Sequence, residues 1–269
     1  MERETINILN VKGEETEALL NQKVDKPLIQ VKDLPSQFKG YPKGTLISYY
    51  SLDLETLENL NTDPSLDAAY GIAELLDNIE CNTLKPEDLY FYDVMYIGIL
   101  RKINAFGGTR GTLKKKCPVC GNIVSKTFDY TEIDFKQIAA PDLPMRMEVA
   151  GKQLDFAQLT MKEFLEIGEN EGELGVYARY IKNLPFEEAD KLVKRATGID
   201  IKKLRFVDKQ LDYGMKPFIV PCTGTVINPK TGKEEPCKEE VVLEVTSPFE
   251  VVFPEDELGG DIDFEVQYG

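Results

Sequence analysis

Four cysteines in this 269-residue chain have the type and spacing to hold one metal ion. Cys117-Pro118-Val119-Cys120-Gly121 sets two thiolates three positions apart on a tight turn, and the glycine permits a backbone that aims amides at the sulfurs. One such turn supplies two ligands, and zinc takes four. The other two are assigned to Cys222 and Cys237, which are separated by Thr223 to Pro236. That insert contains Asn228-Pro229-Lys230-Thr231-Gly232, a hairpin-turn sequence, so the pair reads as a β-hairpin whose two legs each deliver one cysteine. Val124 and Phe128 follow Cys120 at the same offsets at which Val241 and Val245 follow Cys237. Each half then leads to a second apolar run, Ile133–Phe135 or Val251–Phe253. The halves therefore read as related strand units that a structural Zn²⁺ staples together, making metal binding and folding one event.

The same residues allow rival chemistry. A redox Cys-x-x-Cys should open a helix in a βαβ setting, whereas a strand-like run follows here. Four thiolates leave a zinc ion no open position for a substrate, which argues against a catalytic zinc. The cage would carry net negative charge, and Lys114, Lys115, Lys116, Lys126 and Lys238 lie near it in sequence and could offset it. The lysine triplet could instead touch nucleic acid, but the rest of the chain is acidic, with net charge -15. Cys81 follows an apolar helix face and reads as a buried small hydrophobe. Gly107-Gly108-Thr109-Arg110-Gly111 is glycine-rich but lacks the lysine arrangement of a phosphate loop. Asp53, Asp93 and the Glu169–Glu173 cluster read as solvated or capping, and Tyr92 and Tyr96 as helix core.

Composition narrows the function. The chain has no histidine, which removes the commonest general base and every Ser-His or Cys-His nucleophile pair. No apolar stretch approaches the roughly 18 residues of a membrane span. The start, Met1 to Asn10, lacks both a basic and an apolar region, so it is not read as a secretory signal. Cysteines in a reducing cytoplasm then point to metal before disulfides. The expectation is a non-enzymatic protein that docks on other proteins, and not on nucleic acid or a membrane.

Ligands this far apart must be positioned by the intervening elements. Ile6, Ile8 and Val11 form a short mixed run, and Leu28, Ile29 and Val31 another. Leu34-Pro35-Ser36 and Tyr41-Pro42-Lys43-Gly44 are turns, and Leu46, Ile47, Tyr49 and Tyr50 a strand. Ser51 could cap a helix to Asn61. A second helix from Asp63-Pro64 is expected to align Leu66, Ala69, Ile72, Ala73, Leu76 and Ile79. Pro86 suits the first turn of a third, with Leu89, Tyr92, Tyr96, Ile99 and Ile103 on one face and an end at Gly107-Gly108. Residues 113–138 are β-like, and a strand is expected over 147–154. Residues 159–215 are helical with breaks at Gly172, Leu184-Pro185 and Gly198, and β character returns near Phe218.

The fold class is α+β, with helical subdomains around a zinc-ribbon-like antiparallel β unit. Residues 1–50 form an extended N-terminal arm with short strands, and 51–112 a helical subdomain. Residues 113–146 with 217–254 form the zinc-ribbon-like unit, and 147–216 a mainly helical insert. Residues 255–269 form an acidic C-terminal tail, with six acids and no base. Ile262, Phe264 and Val266 alternate in it, so the tail reads either as a solvated arm or as a strand that adds to a sheet.

The order of several features resembles a known family. Leu34-Pro35-Ser36 and Tyr41-Pro42 come first. Tyr92-Asp93-Val94-Met95-Tyr96 follows, with Leu100-Arg101-Lys102 just after. The Cys-Pro-Val-Cys-Gly turn and the segment Tyr130–Phe135 complete the series. Across residues 30 to 170, most clearly 85 to 135, this resembles the baseplate hub and baseplate assembly proteins of T-even-type contractile-tailed bacteriophages. The resemblance implies a virion tail protein, assembled in the host cytoplasm, that helps build or complete the hub-and-wedge baseplate. Its implied partners are hub, wedge, tail tube and tape measure proteins. A transient assembly chaperone for hub or tape measure proteins is the alternative it leaves open, and behind it, from the lysine triplet beside the cysteines, a zinc-ribbon protein that binds nucleic acid.

Overall fold

In β2 (Ile47–Tyr50), Ile47 and Tyr49 are buried and their neighbours half-buried. This alternation makes β2 the centre of an antiparallel sheet, between β1 (Leu28–Gln30) and β3 (Ile79–Cys81). The computed structural model describes residues 27–52, 68–106, 110–167, 172–227 and 232–244. The runs at residues 6–11, the Ser51 helix, the Asp63-Pro64 helix start, Gly107-Gly108 and the apolar run 251–253 lie wholly or mostly outside these residues.

Helix α1 (Ala68–Asp77) buries Ile72 and Leu75 and leaves Ala73 exposed. Ile79, expected on that helix, is instead in β3, because the chain turns at Asn78, whose amide bonds the Leu75 carbonyl. Pro86 opens a short 3₁₀ turn, Pro86–Asp88, and not the long helix. Helix α2 (Phe91–Phe106) begins after it. One apolar face was expected for α2, yet Val94, Met95, Ile97, Ile99, Arg101 and Lys102 are all buried. The helix is enclosed: Phe91 stacks on Phe164, Tyr92 meets Tyr213, and Tyr96 meets Phe135. Arg101 is held by Glu74 of α1 through paired bonds of 2.9 and 3.0 Å, and by the Tyr50 carbonyl of β2 at 2.9 Å. A bidentate, satisfied pair is what lets a guanidinium sit in a core.

Two strands, β4 (Arg110–Lys116) and β5 (Ile123–Asp129), pair in register from Arg110↔Asp129 to Lys116↔Ile123. The strand expected over 147–154 is a hairpin: β6 (Met145–Val149) and β7 (Lys152–Phe156) turn at Ala150-Gly151, both at positive φ. Helix α3 (Met161–Leu165) starts at a capping box in which Thr160 and Glu163 bond each other's backbone amides. Helices α4 (Gly172–Tyr180), α5 (Phe186–Lys194) and α6 (Ile199–Leu211) follow, breaking where Gly172, Pro185 and Gly198 stand. The last strands are β8 (Phe218–Pro221), β9 (Thr225–Ile227), β10 (Glu234–Pro236) and β11 (Glu240–Leu243). The molecule is thus a mixed α and β protein of six helices and several small antiparallel sheets among the described residues.

Two apolar clusters organise these elements. The larger draws on residues from Val31 to Met215 and encloses Tyr49, Phe156, Met161 and Tyr213. The smaller consists of Cys117, Val124, Cys222, Cys237, Val241 and Leu243. Leu113 and Phe218 pack against both, so the β4–β5 and β8–β11 pairs are seated on the main body by these two side chains.

Candidate metal centre

Each pair of cysteines stands where a hairpin reverses. β4 ends at Lys116, and Cys117 to Asn122 turn the chain into β5. The Cys117 amide bonds the Asn122 carbonyl at 2.8 Å, and Gly121 takes φ 74 to close the turn. The second pair repeats this closure. β8 pairs with β11 in register Pro221↔Glu240, and the Cys222 amide bonds the Glu239 carbonyl at 2.8 Å. In both turns the amide of the first cysteine meets the carbonyl two residues past the second. The insert between Cys222 and Cys237 is folded away as the β9–β10 hairpin, Ile227↔Glu234 to Thr225↔Pro236. Its expected turn, 228–231, lies outside the described residues; Gly232 has φ 67.

The two turns meet at their sulfurs. Cys117 Sγ lies 3.8 Å from Cys237 Sγ, and Cys120 Sγ 3.4 Å from Cys222 Sγ. All four sulfurs are within 4.8 Å of one another. Zinc–sulfur bonds of about 2.3 Å in a tetrahedron put sulfurs about 3.8 Å apart, so the cage matches that size. It is too wide for disulfides, which need about 2.05 Å, and the cysteines are free thiols. Cys117, Cys222 and Cys237 are buried and Cys120 half-buried.

Backbone amides turn toward each sulfur. The Gly224 amide donates to Cys222 Sγ at 3.3 Å. The Val119, Asn122 and Glu239 amides serve Cys117, Cys120 and Cys237 in the same way, each from two residues on. The amide of Cys120, with that of Val119, pulls the Cys117 thiol down to about 7 against the cost of burial. The Asn122 amide lowers Cys120, but burial and the Cys222 and Cys117 sulfurs outweigh it and push that thiol up to about 12. The Glu239 amide is likewise outweighed at Cys237 by burial and by Cys117. One thiolate forms readily and its neighbours then resist, as like charges in one cage must. A cation at the centre removes that conflict, so the donor set fits a thiolate-bound metal.

Gly224 is where the turns touch. A Cβ there would lie 2.7 Å from both Cys120 Sγ and the Cys120-side neighbour Asn122 Cβ. Its signal in the sequence is a glycine two residues past Cys222; unlike Gly121, which directly follows Cys120 and takes φ 74, it is required by close approach. Of the nearby lysines, Lys115 Nζ donates to the Val242 carbonyl at 3.1 Å, and Lys126 lies 5.8 Å from the Phe218 ring centroid.

Other nominated residues sit elsewhere. Cys81 is half-buried in β3, with Thr83 Oγ1 at 3.6 Å. Tyr92 and Tyr96 are half-buried against the main core, as expected. Asp93 is fully buried, so it is not solvated: it accepts from the Ser36 amide at 3.1 Å and from Tyr41 Oη at 2.8 Å. It anchors the 34–41 loop, and burial raises its carboxyl to about 6. Asp53 and residues 169–171 lie outside the described residues, and Glu173 bonds Tyr177 one turn along α4. A group missed by sequence is Lys102, buried against Tyr130 with Nζ 5.0 Å from the ring centroid, and pushed down to about 7 by burial. No described helix is long and apolar enough to cross a membrane. No family model, no curated protein and no solved structure matches the chain.

Proposed function

We propose that this chain is a non-enzymatic building part in which Cys117, Cys120, Cys222 and Cys237 hold a structural Zn²⁺, making the two hairpins a zinc-ribbon-like unit. The cage of four free sulfurs within 4.8 Å carries this reading. Four thiolates in a tetrahedron select zinc, or iron, over harder divalent cations. A metal so bound has no vacant position, which favours a staple over a catalyst. The absence of histidine from the sequence points the same way.

The resemblance across residues 30 to 170 extends the proposal to a place. The chain is a component of a contractile phage tail baseplate, hub or inner baseplate, bound to hub, wedge, tube or tape measure proteins. The acidic net charge of -15 suits docking on proteins better than on nucleic acid.

Metal analysis of the isolated chain tests the staple, with one zinc per chain expected; metal-free protein with both hairpins formed refutes it. Mass spectrometry of purified tails tests the place. Detection at fixed stoichiometry supports a permanent part. Presence in infected-cell extracts but not in particles moves the role to a transient assembly chaperone.

A further inference from the structure

Residues 191–209 carry seven bases against only Asp200 and Asp208, in a chain with 47 acids and 32 bases. The fold engages both acids. Asp200 accepts from the Ala150 amide at 3.1 Å, and Asp208 from Tyr180 Oη at 3.2 Å. Lys194 pairs with Asp190, and Lys203 lies 3.6 Å from Asp200. The other five bases, Lys191, Arg195, Lys202, Arg205 and Lys209, are exposed and have no ion pair among the described residues. Helix α6 sorts its share of them by face. At about 100° per residue, Leu204, Val207 and Leu211 share the arc that enters the main core. The opposite arc is exposed: Lys202, Arg205 and Lys209 run along its middle, with Ile199 and Phe206 on one rim and Ile201 on the other. Ile199 is 69% exposed and Phe206 49%, so the fold does not cover them.

The order of side chains across this face decides what fits it. A helix that lies on a membrane buries its apolar sector in the lipid and keeps its bases on the polar side, whereas the apolar sector of α6 faces the protein core. Nucleic acid would use the bases but give the three large apolar side chains no role, and its phosphates would meet a chain of net charge -15. A symmetric second copy would set the same three bases against each other. An acidic amphipathic helix satisfies both features. Carboxylates at three- and four-residue spacing reach the three bases, and apolar side chains on either flank cover the two rims.

We propose that the outer face of α6 docks an acidic amphipathic helix of another protein, with its carboxylates over Lys202, Arg205 and Lys209 and its apolar flanks on Ile199, Phe206 and Ile201. The face belongs to the main body, because α6 packs into the larger apolar cluster and the cysteines form the smaller one. The docking therefore does not depend on a metal.

Fluorescence anisotropy of the full chain with a labelled helical peptide, a row of glutamates flanked on both sides by leucines, tests it. The peptide is expected to bind at low salt and to weaken about tenfold or more in 1 M salt. Lys202→Glu with Lys209→Glu should abolish binding, and a peptide with lysines in place of the glutamates should then bind that variant, which separates lost docking from lost folding. Phe206→Ser should weaken binding about tenfold or more, whereas Ile227→Ser, at an exposed apolar residue of β9, should change nothing. A peptide that does not bind at low salt overturns the proposal, as does a charge swap that fails to restore binding. Polyglutamate that binds as well as the peptide removes the apolar rims and overturns it. Tighter binding to phosphatidylserine vesicles or duplex DNA than to the peptide assigns the face to a different partner, and dimerisation abolished by Phe206→Ser assigns it to a second copy; either result overturns it.

Discussion

The two apolar clusters of this protein are held by different physics. In the large one, Tyr49, Phe156, Leu154, Met161 and Tyr213 are fully enclosed, and stability is spread over many side chains at about 25 cal/mol per Å² of apolar area. In the small one, three of the six buried members are cysteines, and the strands β9 and β10 have three residues each. Burial on that scale does not fix so many short strands. One part of the chain is bound by many weak contacts, and in the other the proposed metal would concentrate stability at a point.

Removing the proposed metal is the largest cut that separates them. A structural zinc contributes on the order of 10 kcal/mol to the folding of a unit that depends on it. Chelation, or Cys117→Ser or Cys237→Ser, is expected to melt β8–β11 and β9–β10 while the helical circular dichroism persists. Cys81→Ser should leave the metal content unchanged, because Cys81 is in β3, outside the cage. If chelation also melts the helices, Leu113 and Phe218 couple the clusters into one cooperative unit, and the contrast fails. The converse cut is Phe156→Ala. It should cost about 3–5 kcal/mol by opening a cavity under a fully enclosed ring, seen as a lower urea midpoint for the helices. The folded fraction should keep its metal.

A smaller change sharpens the point-like character of the metal unit. Gly224→Ala puts a methyl 2.7 Å from Cys120 Sγ, where backbone and sulfur cannot both stay in place. The expected cost is about 1–3 kcal/mol, with weaker metal retention against a competing chelator. Gly121→Ala should act differently: nothing crowds a Cβ there, so its cost comes from φ 74 alone and is smaller.

How far sequence reached follows the same division. The cage was legible because its chemistry is local: a tight Cys-x-x-Cys-Gly turn, and a second pair whose insert carries hairpin residues. Strands β2 and β5 were legible because period-two alternation survives when one face is buried, whereas β4 carries no such alternation and its start at Arg110-Gly111 reads as part of a glycine-rich stretch. The breaks at Gly172, Pro185 and Gly198 were legible for equally local reasons. What escaped depends on partners far along the chain. Asp93 looks like any acid near a helix start until Ser36 and Tyr41 enclose it. The stripe read for α2 was right about Tyr92 and Tyr96 but understated the helix, because elements from both halves of the chain surround it. Lys102 enters the sequence pattern only as the end of Leu100-Arg101-Lys102, and its position against Tyr130 is what reveals its burial.

That burial gives the mildest test, and one confined to the large cluster. Two buried groups there should move stability in opposite directions with pH. Asp93 is raised from 3.8 to about 6, so the folded state holds its proton more tightly than the unfolded chain does. Its contribution is fully present below about pH 4 and is lost as pH rises through about 6. Lys102 is lowered from 10.5 to about 7, so the folded state holds fewer protons. Stability should then rise from about pH 7 toward 10.5, and below 7 the buried charge carries its full penalty. Urea unfolding of the helices across pH 4 to 10 should show both slopes. Asp93→Asn should flatten the acid one and Lys102→Met the alkaline one, with Lys102→Met also more stable at pH 6. Because thiolates titrate and bind metal in the same range, the readout must be helical signal in metal-saturated protein. If Lys102→Met instead destabilises at pH 6, its bond to Tyr130 Oη outweighs the cost of burying the ammonium, and the large cluster too has a point on which it depends.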